Sequence, residues 1–368
     1  MKILILSKRQ YTGKDLLDDR YGRLYEIPAC LAESGHQVRG ITLSYRPRNQ
    51  GGHHWEDTPN MEWLSINLLP FGIMHYLVTL DRIIKEFNPD ILWACSDAFH
   101  AILGHYICSH YKIPLVVDLY DNFESFGATK IPGIMHLYRK SCRLADGLSL
   151  VSHSLENFVT STYGIEGKRI VIGNGVNKTL FYPRAKSKAR QSLGLPIDGH
   201  LIGTAGSITT GRGIEDLFDA FIELATFHNN LWLVYAGPRD LTPKSYLHPR
   251  IIDLGILPLD KMPLVFSALD VAIICNKDSD FGRYCFPQKL FEMLACNTPI
   301  VVANIGDAGK ILSNYPESLY TPGNKSKLAE LINRQLWKQT PISEFPIPSW
   351  LDWSRKLETF FLQIVSLY

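Results

Sequence analysis

The chain alternates between short runs of β-branched residues and leucine and segments with the apolar spacing of helices, and this alternation limits its fold more than any other feature. In the first half, the strand-like runs lie at residues 2–6, 37–42, 91–94 and 114–118, with helical segments at 29–34 and 77–87. Strands and helices that take turns along a chain are typical of a parallel sheet covered on both faces. The sequence therefore predicts a Rossmann-like α/β fold for its first half.

The same alternation restarts after a break at residues 181–184 and a polar, basic stretch that runs to Arg190. Strand-like runs follow at residues 201–204, 231–235, 271–275 and 300–302. A chain of 368 residues is too long for one ordinary hydrophobic core and suits two domains of about 150–200 residues. We therefore expect two α/β domains joined near residue 183, followed by an amphipathic closing helix.

Charge and cysteine content exclude several classes of protein. The chain has 38 Lys and Arg against 36 Asp and Glu, without the basic excess of a nucleic-acid binder, so no nucleic-acid partner is expected. Its seven cysteines form no Cys-x-x-Cys pair, which favours a reducing cytoplasm. The longest stretch without formal charge, residues 63–80, contains Ser, Asn, Pro, Gly and His, so no membrane-spanning helix is predicted.

A glycine-rich loop at residues 203–213 lies between a predicted strand and a predicted helix. Backbone N–H groups at the start of a helix favour an anion, and glycines allow a phosphate to approach closely. Arg212 adds a fixed cation to this loop. A P-loop would carry Lys and then Ser or Thr where Arg212 and Gly213 stand, which disfavours a Walker-type ATPase. The alternative interpretation is a simple turn with an exposed arginine.

A second motif covers residues 285–302, where Pro287 suits the first turn of a helix. Gln288 and Glu292 are four residues apart, and Lys289 and Glu292 are three apart, so all three would share one helical face. A carboxylate one turn inside a helix can accept both hydroxyls of a ribose, while the free amides at the helix start face a diphosphate. The alternative is an ordinary surface Lys–Glu pair.

Acidic residues follow the predicted strand 114–118, among them Asp118 and Asp121. Ligands of open parallel sheets bind at the carboxyl ends of strands, so these carboxylates could face a ligand. They could equally cap the next helix. A further acidic pair, Asp278 and Asp280, has too few additional oxygen ligands for a metal site, and no metal is expected.

Together these motifs resemble a known family. The matching segments are residues 146–152, 172–183, 206–213, 254–257, 269–271 and 286–302. The chain resembles the family 4 glycosyltransferases, retaining enzymes of the GT-B fold that use nucleotide sugars. The resemblance extends over nearly the whole chain and implies two Rossmann-like domains whose parallel sheets face a deep interdomain cleft.

The resemblance also assigns the domains and the site residues. Residues 1–182 with 354–368 would form the acceptor-side domain, and residues 183–353 the donor-binding domain. Arg212 matches the diphosphate-binding lysine of the family, Glu292 its ribose ligand, and Leu257 the position that contacts the base. The implied donor-binding residues are Gly206, Ser207, Gly211, Arg212, Leu257, Tyr284, Phe286, Pro287, Gln288, Lys289 and Glu292. The implied acceptor-side residues are Gly22, Asp118, Tyr120 and Asp121.

Three positions depart from the pattern of the family. Tyr284 replaces the first glutamate of a pair whose second member is Glu292. Ser207 stands where an arginine commonly supplies a second positive charge. The usual histidine after the fourth strand of the first domain is missing, and Tyr120 and Asp121 lie in its neighbourhood.

Lys289 offers a replacement cation, because loss of the leaving diphosphate requires stabilisation of charge. We expect Arg212 and Lys289 to neutralise the diphosphate and Asp121 to orient the acceptor or the sugar. The predicted reaction transfers a hexosyl or related sugar from a nucleotide-diphosphate sugar to a hydroxyl acceptor with retention, without a metal or other cofactor. The alternatives are a nucleotide-sugar epimerase or hydrolase of the same fold, and a catalytically degenerate binding subunit, which the Tyr284 and Ser207 replacements support.

The first half also carries features suited to a membrane surface. Residues 68–74 are apolar, and Arg139, Lys140 and Arg143 form a basic patch. Both could contact anionic lipids; the alternative is core packing and a solvated helix face. We expect a cytoplasmic protein, with peripheral contact at the inner face of the membrane as a further hypothesis. The sequence leaves open the base, the sugar, the acceptor, the linkage and the oligomeric state.

Overall fold

The chain folds into two compact units in its computed structural model, which describes residues 1–11, 14–46, 50–52, 54–69, 72–286, 288–338, 342 and 345–368. Unit 1 comprises Met1–Gly175 with Trp350–Tyr368, and unit 2 comprises Val176–Ser349. The two predicted α/β halves are each present, and each contains a sheet whose described strands are parallel apart from one edge strand of unit 1.

The division between the units falls before the expected junction near residue 183. Val176 N donates to Pro348 O at 3.0 Å, within unit 2. The ring of Phe181 stacks on that of Phe266, with 6.2 Å between their centroids. Residues 176–182 therefore belong to unit 2, in which Val176 and Phe181 are buried, and the break in composition at 181–184 did not indicate this.

Unit 1 is built on a sheet of eight strands among the described residues, in the order β10-β9-β8-β7-β1-β4-β6-β5. Its elements are β1 Lys2–Lys8, β2 Gln10–Tyr11, β3 Lys14–Asp15, α1 Arg23–Glu33, β4 Gln37–Ser44, β5 His54–Thr58, β6 Met61–Asn67, α2 Gly72–Phe87, β7 Ile91–Ala94, α3 Ala98–Tyr111, β8 Leu115–Leu119, α4 Ile134–Leu144, β9 Gly147–Leu150, α5 His153–Tyr163 and β10 Lys168–Val171. All neighbours in the sheet are parallel except β5, which pairs antiparallel with β6.

The centre of this sheet explains the sequence pattern. Residues 3–6 of β1 and all five residues of β8 are buried, as expected of parallel strands covered on both faces. Because β1, β7 and β8 are parallel, the residues that follow them meet at one edge of the sheet. This carboxyl edge is where the side chains of the first candidate site lie. The edge strand β5 was not predicted.

Unit 2 contains a parallel sheet of six described strands in the order β13-β12-β11-β14-β15-β16. Its elements are α6 Lys186–Ser192, β11 His200–Ala205, α7 Glu215–Ala225, β12 Leu231–Ala236, β13 Ile251–Asp253, α8 Met262–Ala268, β14 Val271–Ile274, α9 Asp280–Tyr284, α10 Gln288–Ala295, β15 Ile300–Ala303, α11 Gly306–Ile311, β16 Leu319–Tyr320 and α12 Lys325–Trp337. The glycine-rich loop leaves the carboxyl end of β11, and α10 begins the second motif.

The chain then returns to unit 1 in helix α13, Trp350–Val365. The predicted amphipathic helix is confirmed, and it begins at Trp350, whereas the segment that returns to the first domain was expected to begin at residue 354. The ring of Phe361 meets that of Trp93 edge-on at 6.0 Å. A Cβ at Gly147 would lie 2.7 Å from the ring of Phe360, so the helix needs glycine at that point of β9. Within the described ranges, no helix is both long and apolar enough to cross a bilayer.

Candidate functional site

The glycine-rich loop turns sharply at the end of β11. Gly206 has a φ of 110°, which side-chain-bearing residues rarely adopt. Its N–H donates to Ala236 O at 2.9 Å. A Cβ on the neighbouring Gly237 would lie 2.0 Å from Gly206 O, so the two loops touch through their backbones. Glycine at these two positions therefore lets two backbone segments meet, and the approach of a phosphate to the loop stays a prediction.

Lys289 places its ammonium group against this turn. Its Nζ donates to Ala205 O at 2.8 Å, and a Cβ on Gly206 would lie 3.2 Å from the same nitrogen. Burial, and next the positive charge of Arg212, lower the pKa of Lys289 to about 8. Two cations that disfavour each other's charge are thus held near one loop, and a bound anion would stabilise both.

Arg212 lies one turn further along the loop, in a short 3₁₀ helix over Thr210–Arg212. Its guanidinium carbon is 3.4 Å from the centroid of the Phe281 ring. Gly213 follows with a φ of 67° and leads the chain into α7. The neighbouring Gly211 is exposed. Phe281 was not singled out in the sequence, because nothing local to it indicates a contact with residue 212.

Glu292 is the carboxylate of the cluster. It is only 6% exposed and accepts a hydrogen bond from Gln288 Nε2 at 2.9 Å. Burial raises the pKa of Glu292 to about 7, against the hydrogen bond from Gln288 and the charge of Lys289, which lower it. The predicted pairing of Gln288 with Glu292 on one helical face is confirmed.

The remaining donor-side residues occupy varied environments. The ring of Phe286 is buried and packs on that of Phe291, with 5.1 Å between the centroids, and its part in donor binding stays a prediction. Ser207 Oγ lies 3.5 Å from Thr209 Oγ1. Leu257 is half-buried in the loop after β13, and Tyr284 is half-buried at the end of α9. Pro287 lies outside the described residues.

On the first unit, Asp118 is a structural residue. It has no exposed surface, and it accepts hydrogen bonds from Arg23 Nη2 and Ser149 Oγ, both at 2.7 Å. Burial raises the pKa of Asp118, against the neighbouring Arg23, which lowers it. As a strand residue Asp118 points into the interior, where it meets a cation 95 residues away; its assignment to the acceptor side stays a prediction.

Gly22 stands at the start of α1 with a φ of 78°, directly before the buried Arg23. Arg23 Nη1 donates to Ile172 O at 2.7 Å. Gly22 therefore turns the chain so that the guanidinium of Arg23 points into the interior beside Asp118.

Tyr120 and Asp121 follow β8 at the carboxyl edge of the sheet. Lys8, which the sequence did not indicate as a site residue, lies beside them. Lys8 Nζ, at the end of β1, lies 6.0 Å from the ring centroid of Tyr120 and 5.5 Å from that of Phe126. Burial lowers the pKa of Lys8, against the carboxylates of Asp97 and Asp121, which raise it. The edge thus holds a partly buried cation between aromatic rings and carboxylates.

Asp97 follows β7 at the same edge. Its Oδ1 accepts from His100 N at 3.0 Å and contacts His100 Nδ1 at 2.8 Å, and its Oδ2 accepts from Tyr45 Oη at 3.0 Å. Burial would raise the pKa of Asp97, but His100 and Lys8 outweigh it and hold the pKa at about 2. The strand-end argument used for Asp118 would have located Asp97, which follows the predicted strand 91–94.

One member of the acidic pair of the second unit, Asp278, has a local partner. Asp278 Oδ1 accepts from Arg283 Nε at 2.7 Å, and Asp280 lies in the first turn of α9. Within the described part of the chain, no three His, Cys, Asp or Glu side chains form a group that could hold a metal ion.

Comparison with known proteins identifies relatives for both halves of the chain. The family model described as Glycosyltransferase Family 4 matches residues 23–180, and that of Glycosyl transferases group 1 matches residues 199–337. An uncharacterized glycosyltransferase of Methanocaldococcus jannaschii is 28% identical over 338 residues, covering 83% of this chain and 82% of that protein. A D-inositol 3-phosphate glycosyltransferase of Acidothermus cellulolyticus is 27% identical over 193 residues, which cover 47% of this chain and 42% of the relative.

Two solved structures show the same fold along the chain. Sucrose-phosphate synthase of Thermosynechococcus elongatus gives a TM-score of 0.81 at 16% identity, with both chains covered completely. The Anabaena protein HepE, crystallised with UDP and glucose, gives a TM-score of 0.72 at 19% identity, covering 98% of this chain and 99% of its own.

Proposed function

Since the chain belongs to the family 4 glycosyltransferases of the GT-B fold, we propose that it transfers a sugar from a nucleotide-diphosphate sugar to a hydroxyl acceptor with retention of configuration. The observation that carries this proposal is the pair of cations at the end of β11. Lys289 contacts Ala205 O beside Gly206 and lies close enough to Arg212 to be perturbed by its charge.

This pair suits the chemistry of the leaving group. When the bond between the anomeric carbon and the diphosphate oxygen breaks, the departing nucleoside diphosphate takes the electron pair and gains negative charge. Arg212 and Lys289 stabilise that charge, and a partly desolvated site makes each interaction stronger than it is in water. With a pKa of about 8, Lys289 is about nine-tenths protonated at pH 7, and an anion beside it raises that fraction.

Glu292 serves the nucleoside part of the donor. Its ionised carboxylate accepts hydrogen bonds from both ribose hydroxyls, while Gln288 holds one of its oxygens. Because burial raises the pKa of Glu292 to about 7, the carboxylate is charged in only about half of the molecules near neutral pH. Hydrogen bonds from the ribose would favour the ionised form.

The acceptor side is assigned to the carboxyl edge of the sheet of unit 1. There Asp121 offers a carboxylate to a hydroxyl group, and Lys8 is held between the rings of Tyr120 and Phe126. Asp97, fixed by His100 and Tyr45, supports the position of Lys8 through its charge. In this assignment Asp121 orients the acceptor or the sugar.

The first experiment is a thermal-shift screen with UDP-, GDP-, ADP- and dTDP-glucose, because a ligand that binds only the folded state raises its melting temperature. Sugar transfer, or slow hydrolysis of the best ligand, is then measured in wild type, Arg212→Ala and Glu292→Ala. Loss of one charge-assisted hydrogen bond predicts a decrease in kcat/KM of about 10- to 100-fold in each variant. Arg334→Ala, an exposed arginine on α12, is the matched control. Undiminished activity in both site variants contradicts the proposal.

The same assays separate the alternatives. Turnover of the nucleotide sugar without any acceptor favours an epimerase or hydrolase. Tyr284 and Ser207, which stand in place of charged residues of the family, favour a degenerate binding subunit. A tight nucleotide-sugar complex with no turnover across a panel of hydroxyl acceptors supports that alternative.

We also propose that unit 1 contacts an anionic membrane surface. The first half of α2 and Leu69, three residues before that helix, expose apolar side chains, with Leu69 at 59%, Met74 at 65% and Val78 at 64%. Helices α3 and α4 contain no acidic residue. On α4, Lys140 and Arg143 are exposed.

One residue of the predicted basic patch is less suited to this surface, because Arg139 is paired with Glu124 at 2.6 Å. Pro70 and Phe71 of the predicted apolar segment lie outside the described residues. The test is co-sedimentation at low salt with phosphatidylcholine vesicles that contain phosphatidylglycerol. The variant Met74→Ser/Val78→Ser should bind more weakly than wild type. Absence of binding by wild type removes this part of the proposal.

A further inference from the structure

Two loops of unit 2 that are far apart in sequence are joined beside the cation pair. Lys277 Nζ donates to Thr210 Oγ1 at 3.1 Å and to Glu215 Oε1 at 3.3 Å. A Cβ on Gly213 would lie 3.1 Å from Lys277 Cγ. The segment before α9 therefore lies against the glycine-rich loop on one side, through Lys277.

A second contact between the same two segments involves Arg212. Its guanidinium carbon lies 3.4 Å from the ring centroid of Phe281, the second residue of α9. Both side chains are half-buried. A guanidinium carbon can come this close to a ring centroid only with its flat face toward the ring, because an edge-on approach would drive an N–H group into the ring. The N–H donors then point outward from the edge of the guanidinium plane.

The position of α9 is itself fixed. Ser279 Oγ accepts from Gly282 N at 3.3 Å, and a Cβ on Gly282 would lie 2.1 Å from Lys277 O. A Cβ on Gly306 would lie 2.6 Å from Arg283 O, so the start of α11 lies against the other end of the turn. Phe281 is thus mounted on a short helix whose backbone contacts leave little room for displacement.

We propose that Phe281 is a positioning residue for the nucleotide: its ring holds the guanidinium of Arg212 in one orientation, edge toward the diphosphate. The inference rests on the proposed function and adds a specific partner to it. It also accounts for an arginine where the resemblance to the family places a lysine, since a planar guanidinium stacks on a ring and a point-like ammonium does not orient itself this way. An unstacked arginine would lose rotamer freedom on binding, at a cost in affinity.

The experiment measures the dissociation constant of UDP by calorimetry at pH 7.5 in a double-mutant cycle. The cycle comprises wild type, Phe281→Leu, Arg212→Ala and the combination of both. Phe281→Leu keeps apolar bulk and removes the ring face, and Phe281→Met does the same with a different shape, should the first variant fold poorly. Phe281→Trp keeps a stacking surface, and Phe227→Leu replaces an exposed phenylalanine of the same unit as the control.

We expect Phe281→Leu to weaken UDP binding by about three- to thirtyfold, as for loss of a partly desolvated cation–π contact. The same substitution should have no effect in the Arg212→Ala background, because its action passes through the guanidinium. Phe281→Trp should bind UDP as wild type does, and so should Phe227→Leu.

The outcomes separate this inference from the proposed function. If wild type binds UDP and Phe281→Leu binds it equally well, the inference is overturned and the proposed function stands. An equal weakening by Phe281→Leu with and without Arg212 shows a merely structural role and also overturns it. If wild type binds GDP, ADP or dTDP but not UDP, the same cycle is measured with that nucleotide and the same outcomes decide. If wild type binds none of the four, the nucleotide-sugar proposal fails, and the inference fails with it.

Discussion

The titrations of Lys289 and Glu292 make a quantitative prediction for the pH dependence of donor use. Diphosphate binding needs Lys289 protonated, so it is lost as pH rises through the pKa of about 8. Ribose binding needs Glu292 ionised, so it is lost as pH falls through the pKa of about 7. We take these two values as the apparent pKa values of the coupled pair. Both groups are then charged in about 0.6 of the molecules at pH 7.5, and in about 0.1 of them at pH 6 or pH 9.

The assay is kcat/KM for the nucleotide sugar that binds best in the screen, measured from pH 6 to pH 9, because this ratio reports the ionisations of the free enzyme. A nucleotide sugar is preferred to the nucleoside diphosphate, whose terminal phosphate would itself titrate in this range. We expect a bell with its maximum near pH 7.5 and a decrease of about sixfold at either end, given the two charged fractions.

Two conservative variants assign the limbs of this profile. Glu292→Gln should lower the maximum and remove the acidic limb, whereas Lys289→Arg should remove the alkaline limb, since an arginine stays charged throughout this range. A flat profile in wild type would refute the reasoning. So would an alkaline limb that persists in Lys289→Arg, because another group would then be responsible for it.

Three further predictions concern stability and the loop. Gly206→Ala should lower the free energy of unfolding by about 1–3 kcal/mol, because φ is 110° at this position. The substitution should also weaken nucleotide-sugar binding, since the new Cβ would lie 3.2 Å from Lys289 Nζ. Urea unfolding measures the loss of stability, and calorimetry measures the loss of binding. Unchanged binding would contradict the proposal that the diphosphate lies beside Gly206 and Lys289. Asp118→Asn should cost about 3–5 kcal/mol in urea unfolding, because it leaves Arg23 buried without a charged partner; a loss below 1 kcal/mol would speak against the buried ion pair. Phe361→Ala should lower the free energy of unfolding by about 3–5 kcal/mol in the same measurement, since the side chain is fully buried. An unchanged free energy of unfolding would mean that α13 does not cover the core of unit 1.

Local patterns in the sequence determined most of the secondary structure near the site. The apolar run at residues 2–6 predicted β1, and 91–94 predicted β7, because a strand buried on both faces has a continuous apolar sequence. The pairing of Gln288 with Glu292 followed from helical geometry alone, since residues four apart share a face. Such features depend on neighbours within a few residues, which a sequence displays directly.

Tertiary structure decided the contacts that give these residues their chemistry. Asp118 was expected at a ligand site, yet it meets Arg23 in the interior, because which way a strand residue points depends on the elements packed against the sheet. Lys8 contacts the rings of Tyr120 and Phe126 only because the parallel sheet brings the ends of β1 and β8 to the same carboxyl edge.

The same division holds for the cation pair. The sequence supplied the glycine loop, Arg212 and the helix that carries Lys289, each from spacing within a few residues. It did not supply the contact of Lys289 Nζ with Ala205 O, 84 residues earlier in the chain, or the stacking of Arg212 on Phe281. Both contacts join segments that meet only when the strands of unit 2 pair in their parallel order. Residue types and local spacing are therefore fixed by the sequence, whereas burial, charge proximity and the lowered pKa of Lys289 arise only from the packed fold.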